Sequence, residues 1–276
     1  MRIWRRGFIG TENQHFLEAN HIKYKPCFSV KYPTRIQNYM FEVPEDNCAW
    51  PGLKVLLKGD HTFIHTEFTS GEISQAEWCI ILGDHSIEAL CAEGYGWHRQ
   101  YYADQCSKCG SGWRQIAPFR IKKEPKLGKN QFSSFGSGFE LFCTPLVLDE
   151  FDRQGISGFE TRPIILDKED RPIQGLKQLV VNAIAEPAIA EELVEHERYS
   201  QTDCPLCGRT WHADYVRGML PLRRAALKPN TDFQLTDEWF GSGANARREI
   251  LVSQRVVRAI LENEWKGAEL IPIQAV

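Results

Sequence analysis

The segments Cys106–Trp113, CSKCGSGW, and Cys204–Trp211, CPLCGRTW, share the form CxxCGxxW. Two cysteines separated by two residues can bind one metal ion, and the glycine that follows suits the tight turn such a pair needs. Two pairs brought together form a tetrahedral four-cysteine site of the closed, structural kind. The sequence therefore predicts one structural zinc ion that joins the two segments. Its predicted ligands are Cys106, Cys109, Cys204 and Cys207.

The same cysteine pattern has other interpretations. CxxC also occurs in redox dithiols, and it occurs by chance without any metal. A thioredoxin-like CxxC normally opens a helix, whereas Gly110, Ser111 and Gly112 after the first pair are a poor helix start. Zinc is the preferred interpretation, with redox chemistry and a metal-free fold as alternatives. His98 and His212 lie near the motifs but do not recur in both segments, so we expect them to be surface or packing residues.

The two cysteine segments open a longer internal match. Each segment is followed by the sequence FGSG, which lies at 135–138 and at 240–243. From Glu140 and Glu249 onward, the two stretches align without a gap at an offset of 109 residues. A match of this length predicts a duplicated unit of domain size rather than a solenoid. The matched pairs include Val147 with Val256, Gly158 with Gly267, Glu160 with Glu269, Pro163 with Pro272, and Ile164 with Ile273.

Each copy of the predicted unit is a strand, a helix and a second strand. The runs ELFC and EILV are typical of short strands, and FETRPIIL and AELIPIQAV of the closing strands. Between them, Thr144 and Ser253 are predicted to cap the helices with their side chains, and Pro145 occupies the first helical position. Apolar residues at helical spacing follow each cap, and a glycine follows each helix.

The first part of the chain shows no copy of this unit. Residues 1–98 contain the runs CFSVKYP, LKVLLKG, HTFIHTEF and EWCIILG, which are rich in aromatic or branched apolar residues, and a predicted helix, DHSIEALCAEG, at 84–94. LVVNAIAEPAIAEELVEHERYS, at 179–200, predicts a strand and then a helix that begins near Pro187. We therefore predict an α+β fold in three parts: an N-terminal α+β lobe at 1–98 and CxxCG units at 99–200 and 201–276.

The composition of the chain disfavours some classes of function. The chain has 276 residues and a formal charge of −3, which does not favour a protein that coats nucleic acid or an anionic membrane. No apolar run has the length of a membrane span, and no signal sequence is evident, so we expect a cytoplasmic protein. Cysteines outside the motifs are expected to be small core residues. They are Cys27, Cys48, Cys79, Cys91 and Cys143.

The sequence gives no positive indication of catalysis. It contains no strand followed by GxGxxG, no phosphate loop and no HExxH. His61 and His65 have no glutamate between them and are expected to be partly exposed strand residues. We therefore predict that the protein is not an enzyme. The basic runs FRIKKEPKLGK, at 119–129, and RGMLPLRRAALK, at 217–228, keep nucleic-acid binding as an alternative.

Several motifs together resemble a bacterial family defined by a double CxxCG motif, first noticed as a set of paralogues in myxobacteria. The resemblance covers roughly residues 100–276 and is carried by four segments. Some members of the family are immunity proteins that neutralise a cognate polymorphic toxin. The family has its first CxxCG near the N-terminus, whereas a long lobe precedes it here. The segments are CSKCG, CPLCG, FCTPLVLDEFDRQGISGFE at 142–160, and DFQL with ILVSQRVVRAILENEWKGAELIPI at 232–273.

The resemblance implies a non-enzymatic protein of the immunity type that binds a cognate bacterial toxin. A zinc-ribbon-like nucleic-acid-binding protein and a thiol oxidoreductase are the alternatives. We expect a monomer, because a duplicated unit commonly replaces what was once a homodimer.

Overall fold

The computed structural model describes residues 1–31, 34–57, 62–88, 100–135, 139–194 and 199–276, with the side chains of 28–31 and 34–36 left out. The fold is α+β with more strand than helix, as predicted. Contacts divide the chain into two compact units, Met1–Thr69 with Tyr215–Gly218, and Ser70–Asp214 with Met219–Val276. The division into 1–98, 99–200 and 201–276 stays a prediction. Within the described ranges, no helix combines the length and the apolar character that crossing a bilayer requires.

The first unit is an antiparallel sheet with helices on one face. Its core is formed where alternate residues of β1, such as Ile9, meet Leu17 of α1 and Leu53 of α2. The run LKVLLKG begins in α2, because Trp50 and Leu53 place their apolar side chains on one helical face. The elements are β1 (Arg2–Gly10), α1 (Gln14–Ala19), β2 (Tyr24–Lys31), β3 (Thr34–Pro44), α2 (Trp50–Leu56) and β4 (Phe63–Glu67), with strand order β2-β3-β1-β4.

A half-buried carboxylate ties the C-terminal segment of this unit to its sheet. Glu45 receives hydrogen bonds from the guanidinium of Arg5, which is only 4% exposed, and from Arg217 at 2.9 Å. Thr66 Oγ1 accepts the Gly218 N–H at 2.8 Å and donates to the Val216 carbonyl. Burial alone would raise the pKa of Glu45, but the hydrogen bonds from the two arginines outweigh it and the pKa is lowered.

The second unit contains two larger sheets and several short strand pairs. The strand orders of the larger sheets are β8-β11-β12-β10-β9 and β16-β18-β5-β19. The helices are α3 (Ser70–Gln75), α4 (Pro145–Arg153) and α5 (Gln254–Glu262). The strands are β5 (Trp78–Gly83), β6 (Tyr102–Ala103), β7 (Arg114–Gln115), β8 (Arg120–Ile121), β9 (Phe132–Ser133), β10 (Leu141–Cys143), β11 (Phe159–Leu166), β12 (Arg171–Val181), β13 (Gln201–Asp203), β14 (Thr210–His212), β15 (Pro221–Leu222), β16 (Phe233–Leu235), β17 (Trp239–Phe240), β18 (Ile250–Ser253), β19 (Ala268–Pro272) and β20 (Gln274–Ala275).

Strand, helix and strand follow one another in both of the segments that the sequence singles out, as β10-α4-β11 and β18-α5-β19. Neither segment forms a sheet alone. The long strand β12 lies between β10 and β11, and β5 lies between β18 and β19. Both helices contribute to one core that also receives residues of both sheets, including Phe151 of α4 and Ile260 of α5. This shared core makes the two segments one folding unit.

The predicted side-chain caps of α4 and α5 are wrong. Thr144 and Ser253 do have the extended backbone of an N-cap residue, with ψ of 159° and 164°. Their hydroxyls, however, bond to side chains of the preceding segment, Gln131 Oε1 at 2.5 Å and Asp232 Oδ1 at 2.7 Å. Neither hydroxyl accepts a hydrogen bond from a helix N–H, so the two residues fix the helix start to the sheet edge rather than cap it.

The helix predicted near Pro187 does not form in the described residues 187–194. Glu238 Oε1 accepts the N–H groups of Ala188 at 2.5 Å and Ile189 at 2.8 Å, and the Ala188 carbonyl accepts the Arg223 N–H at 2.6 Å. The Ala188 carbonyl and the Ala190 N–H, which donates to the Pro221 carbonyl at 3.0 Å, are groups that a helix from Pro187 would pair internally. Only a short 3-10 turn at Glu191–Leu193 remains. Residues 195–198 lie outside the described part of the chain.

The other predicted helix, at 84–94, is also wrong over its described residues 84–88. There the chain is extended: Ile87 N–H donates to the Ser134 carbonyl at 2.8 Å, and Ser134 N–H donates to the His85 carbonyl at 2.9 Å. Residues 89–99, which include Cys91 and His98, lie outside the described ranges, as does His61.

The lone cysteines divide into buried and accessible groups. Cys79 and Cys143 are fully buried in the shared core, as predicted, and burial raises the pKa of Cys79 to about 12. Cys48 is exposed and Cys27 only half-buried, so the core prediction is wrong for Cys48. His65 lies on β4 with its ring stacked on Trp4, a partly exposed strand position as expected.

Candidate metal centre

Each CxxC motif forms the tip of a short antiparallel hairpin. The first, between β6 and β7, pairs Ala103 with Arg114, and the second, between β13 and β14, pairs Gln201 with His212. The second hairpin is extended by β17, which pairs in parallel with β14. Strand pairing on both sides of each tip therefore fixes where the cysteines point. We call residues 106–110 and 204–208 the first and second knuckle.

The two knuckles have the same backbone hydrogen bonds. Gly110 N–H donates to the Cys106 carbonyl at 2.9 Å, and Gly208 N–H donates to the Cys204 carbonyl at 2.8 Å. The amides of Cys106 and Cys204 in turn bond to the carbonyls of the residues after these glycines, at 3.0 and 2.9 Å. Both glycines have positive φ, +82° and +71°, which a residue with a side chain adopts only with strain. The glycine in CxxCG is thus required by the turn.

The knuckles bring the four predicted ligands together. The Sγ atoms of Cys106 and Cys204 are 3.8 Å apart, and those of Cys109 and Cys207 are 3.6 Å apart. All four Sγ atoms lie within 4.8 Å of one another. A tetrahedral zinc ion with Zn–S bonds of about 2.3 Å holds its sulfurs about 3.8 Å apart, whereas a disulfide needs about 2.05 Å. The four thiols therefore have the spacing of a four-cysteine metal site.

Burial and hydrogen bonding change the pKa values of the four thiols unequally. Cys109 and Cys204 are 4% and 2% exposed, and Cys106 and Cys207 are half-buried. Hydrogen bonds from the backbone N–H groups of Cys109 and Lys108 lower the pKa of Cys106 to about 6, and those of Cys207 and Leu206 lower the pKa of Cys204. Burial raises the pKa of Cys109 to about 11. A bound dication would stabilise all four thiolates and so overcome this inequality.

The FGSG motif has a structural role that the sequence did not reveal. Gly243, the last residue of the second FGSG, donates its N–H to the Cys109 carbonyl at 2.8 Å. Nearby, the Trp113 indole N–H donates to the Ala246 carbonyl at 2.6 Å. Residues after the second knuckle therefore support the first one. Gly136, Ser137 and Gly138 of the first FGSG lie outside the described residues.

His212 does not join the thiol cluster. Its Nδ1 lies 2.6 Å from the Tyr199 hydroxyl, its side chain is buried, and burial lowers its pKa. This agrees with the expected packing role. At the matching position of the first hairpin, Arg114 is exposed and pairs with Asp104 at 3.2 Å.

The arginines of the basic runs after each knuckle, and Lys123, form ion pairs with carboxylates. In the first run, Arg120 contacts Asp167 and Asp170 at 2.6 and 2.7 Å, and Lys123 contacts Glu88 at 3.0 Å. In the second, the partners are Glu192 for Arg223, Glu77 for Arg224 and Glu45 for Arg217. These pairs reduce the basic character of both runs, whereas the exposed Lys122, Lys126 and Lys129 have no ion pair among the described residues.

Comparison with known proteins returned no matching family and no matching curated protein.

Proposed function

We propose that the four thiolates bind a single zinc ion and that this ion is structural. The arrangement of the four sulfurs is the observation that carries the proposal. All four coordination positions are filled by protein, so no position remains for a water or a substrate, and catalysis by the metal is disfavoured. The ion would instead tie together two hairpins that are 98 residues apart in the chain, where the cost of loop closure is large.

Metal analysis of the purified protein tests this proposal. We expect about one zinc ion per chain, as set by the single four-thiol site. Cys109→Ser should lose the metal and much of its stability, because the free energy of metal binding contributes to folding. Cys48→Ser, which changes an exposed cysteine of the first unit, is the matched control and should keep the metal. A metal-free native protein, or full metal content in Cys109→Ser, would contradict the proposal.

We also propose that the second unit arose by duplication, with its central strands exchanged between the copies. The support is in the strand registers. In the first sheet Cys143 pairs with Lys177, and Phe159 pairs with Val181. In the second sheet the residues that match Cys143 and Phe159 are Val252 and Ala268, which pair with Cys79 and Gly83. The residue numbers of equivalent positions in β12 and β5 thus differ by 98. The same difference separates Cys106 from Cys204 and Cys109 from Cys207.

Backbone bonds beside these strands also repeat, with acceptors 98 residues apart and donors 101 residues apart. Ser134 N–H donates to the His85 carbonyl at 2.9 Å, and Leu235 N–H donates to the Ala183 carbonyl at 2.7 Å. Each copy would then run from a central strand through a knuckle to a strand–helix–strand segment, as β5 to β11 and β12 to β19. Since β5 lies in the sheet of the second copy and β12 in that of the first, each copy completes the other.

A matched pair of glycine substitutions tests the equivalence of the copies. A Cβ on Gly158 would lie 2.3 Å from the Phe233 carbonyl oxygen, and one on Gly267 would lie 2.1 Å from the Phe132 carbonyl oxygen. Both glycines have positive φ. Gly158→Ala and Gly267→Ala should therefore each cost roughly 2–5 kcal/mol, from the strained backbone and from overpacking. A difference between them that exceeds about 2 kcal/mol would count against equivalent roles.

For the biological role, we propose a non-enzymatic binder of the immunity type, whose partner is a cognate bacterial toxin. Its support is the resemblance carried by the two CxxCG motifs and by the strand–helix–strand segments, together with a thiol cluster suited to a closed structural site. The direct test is co-expression with the product of the neighbouring gene. Rescue from toxicity and isolation of a complex are expected; a toxic neighbour without rescue or complex would contradict this role.

The two alternatives make different predictions. A nucleic-acid-binding protein would lose affinity steeply as salt increases, and the ion pairs of Arg120, Arg223 and Arg224 leave fewer free cations for such binding. A thiol oxidoreductase would turn over disulfides through a thiol of low pKa, as the pKa of about 6 for Cys106 would permit in the absence of metal. Thiols that remain inert in the zinc-loaded protein would exclude the second alternative.

A further inference from the structure

A cavity of about 410 Å³ lies beside the knuckles, within the second unit. Its volume is in the range of small-molecule sites. On one side it is bounded by β11 and β12, where Arg162 and Gln178 are direct partners in the sheet register. Tyr102 and Trp113 of the first hairpin form a second side, and Trp239 of β17 lies on a third. We call this space the arginine cavity.

The charge that lines the arginine cavity is predominantly positive. Glu140 is its lining carboxylate, and it already accepts a hydrogen bond from the Tyr102 hydroxyl at 2.8 Å. Against it stand four guanidinium groups. Two of these are partly neutralised, Arg114 by Asp104 and Arg248 by Asp237, but the lining keeps a net positive charge, which favours an anion. They belong to Arg114, Arg162, Arg209 and Arg248.

Two of these arginines have buried N–H groups without a hydrogen-bond partner among the described residues. They are Nη1 of Arg162 and Nε of Arg248. Arg248 contacts Asp237 at 3.3 Å, its guanidinium lies 5.3 Å from the centre of the Trp239 ring, and its side chain is 18% exposed. A buried donor on a charged group is costly to leave unsatisfied. These two atoms are themselves closed to solvent, but with no acceptor among the described residues they leave the charge of both guanidinium groups poorly compensated. Guanidinium groups are well suited to carboxylate or phosphate oxygens.

Part of the remaining wall is aromatic. The rings of Tyr102 and Trp113 are 4.7 Å apart, and those of Trp113 and Trp239 meet edge to face at 5.7 Å. The Trp113 indole N–H is already bonded to the Ala246 carbonyl, so the ring offers the cavity apolar surface rather than a donor. Such a wall favours a flat ring.

We propose that the arginine cavity binds a small anion that carries a planar ring. Its anionic oxygens, of a carboxylate or phosphate group, accept hydrogen bonds from Arg162 and Arg248, and its ring packs on Trp113 and Trp239. Glu140 and the Gln115–Gln178 amide pair, bonded at 2.7 and 3.0 Å, complete the polar side. This site is separate from the thiol cluster and needs no open metal position, so it goes beyond the structural role proposed for zinc.

Isothermal titration of the purified protein with phenyl phosphate tests the proposal, with benzoate as the carboxylate counterpart. Inorganic phosphate lacks the ring and phenol lacks the anion, so both should bind at least about tenfold more weakly than phenyl phosphate. Arg162→Gln should weaken phenyl phosphate binding about tenfold or more, the loss expected for one hydrogen bond to a charged group. Arg153→Gln, on the exposed face of α4, is the matched control and should bind as the unaltered protein does.

A second variant separates a local loss of charge from a loss of folding. Arg248→Lys keeps the positive charge but removes the planar guanidinium, and it should weaken binding while leaving the unfolding midpoint nearly unchanged. Binding should also shift the indole N–H resonances of Trp113 and Trp239. Absence of binding by both phenyl phosphate and benzoate at millimolar concentration would overturn the proposal, as would equal affinity in a folded Arg162→Gln protein.

Discussion

Replacing Gly110 by alanine is expected to damage its knuckle far more than the equivalent change at Gly208. Both residues have positive φ, and both donate their N–H to the first cysteine of their motif. They differ in their surroundings. A Cβ on Gly110 would lie 1.9 Å from the carbonyl oxygen of Gly243, whereas no other atom lies within 4 Å of a Cβ built on Gly208.

The structure gives the size of each effect. An alanine at positive φ costs about 1–2 kcal/mol, and this is the whole expected cost of Gly208→Ala. Gly110→Ala adds overpacking against backbone, about 1–3 kcal/mol, because the carbonyl cannot rotate away as a side chain can. The same loop also holds the Cys109 carbonyl through the Gly243 N–H at 2.8 Å, so a shift of this loop disturbs a predicted zinc ligand.

Urea unfolding at a fixed free zinc concentration measures both variants, since bound metal contributes to apparent stability. We expect Gly110→Ala to lose roughly 2–5 kcal/mol and to release zinc to a chromophoric chelator faster than Gly208→Ala does. Equal losses in the two variants would refute the close packing of the first knuckle on the Gly243 loop.

Three further changes probe the rest of the fold. Phe151→Ala removes a fully buried ring of the shared core and should cost about 3–5 kcal/mol in urea unfolding; a loss below about 1 kcal/mol would contradict that packing. Glu45→Gln should destabilise the first unit by about 3 kcal/mol at pH 7, because the buried Arg5 loses its charged partner. Since the pKa of Glu45 is lowered in the folded state, the Glu45 carboxylate contributes fully to the free energy of unfolding above its unfolded pKa of about 4.3, and this contribution is lost as pH falls through the folded pKa. A difference in stability between the unaltered protein and Glu45→Gln that does not change with pH would contradict the ion pair with Arg5. Trp113→Phe removes the bond to the Ala246 carbonyl and should cost about 1 kcal/mol by thermal unfolding, whereas no change in midpoint would show the bond to be dispensable.

The sequence predicted those parts of the molecule in which local pattern determines structure. FETRPIIL forms β11 over Phe159–Leu166, and Pro145 begins α4, because both follow from short-range preferences. The four cysteines that cluster were also evident, since CxxCG carries its turn with it. Repetition of a local motif was enough to identify them.

Other features depend on partners far away in the chain and were missed or wrong. The segment after Pro187 has alanines and glutamates suited to a helix, yet Glu238 and Arg223 take its backbone bonds. The positions of β5 and β12 in the two sheets could not be predicted, because each pairs with strands of a distant segment. The alignment also has no single offset, since it changes from 98 residues at the cysteines to 109 at the helices. The arginine cavity gave no local signal, since Arg162, Gln178 and Arg248 come together only through the sheet and the second hairpin.

Zinc K-edge X-ray absorption of the purified, zinc-loaded protein tests the central claim most directly. Coordination of one ion by Cys106, Cys109, Cys204 and Cys207 predicts four sulfur neighbours at about 2.3 Å and no oxygen or nitrogen ligand. A shell with fewer than four sulfurs, or with a light-atom ligand, would contradict a closed site assembled from the two knuckles.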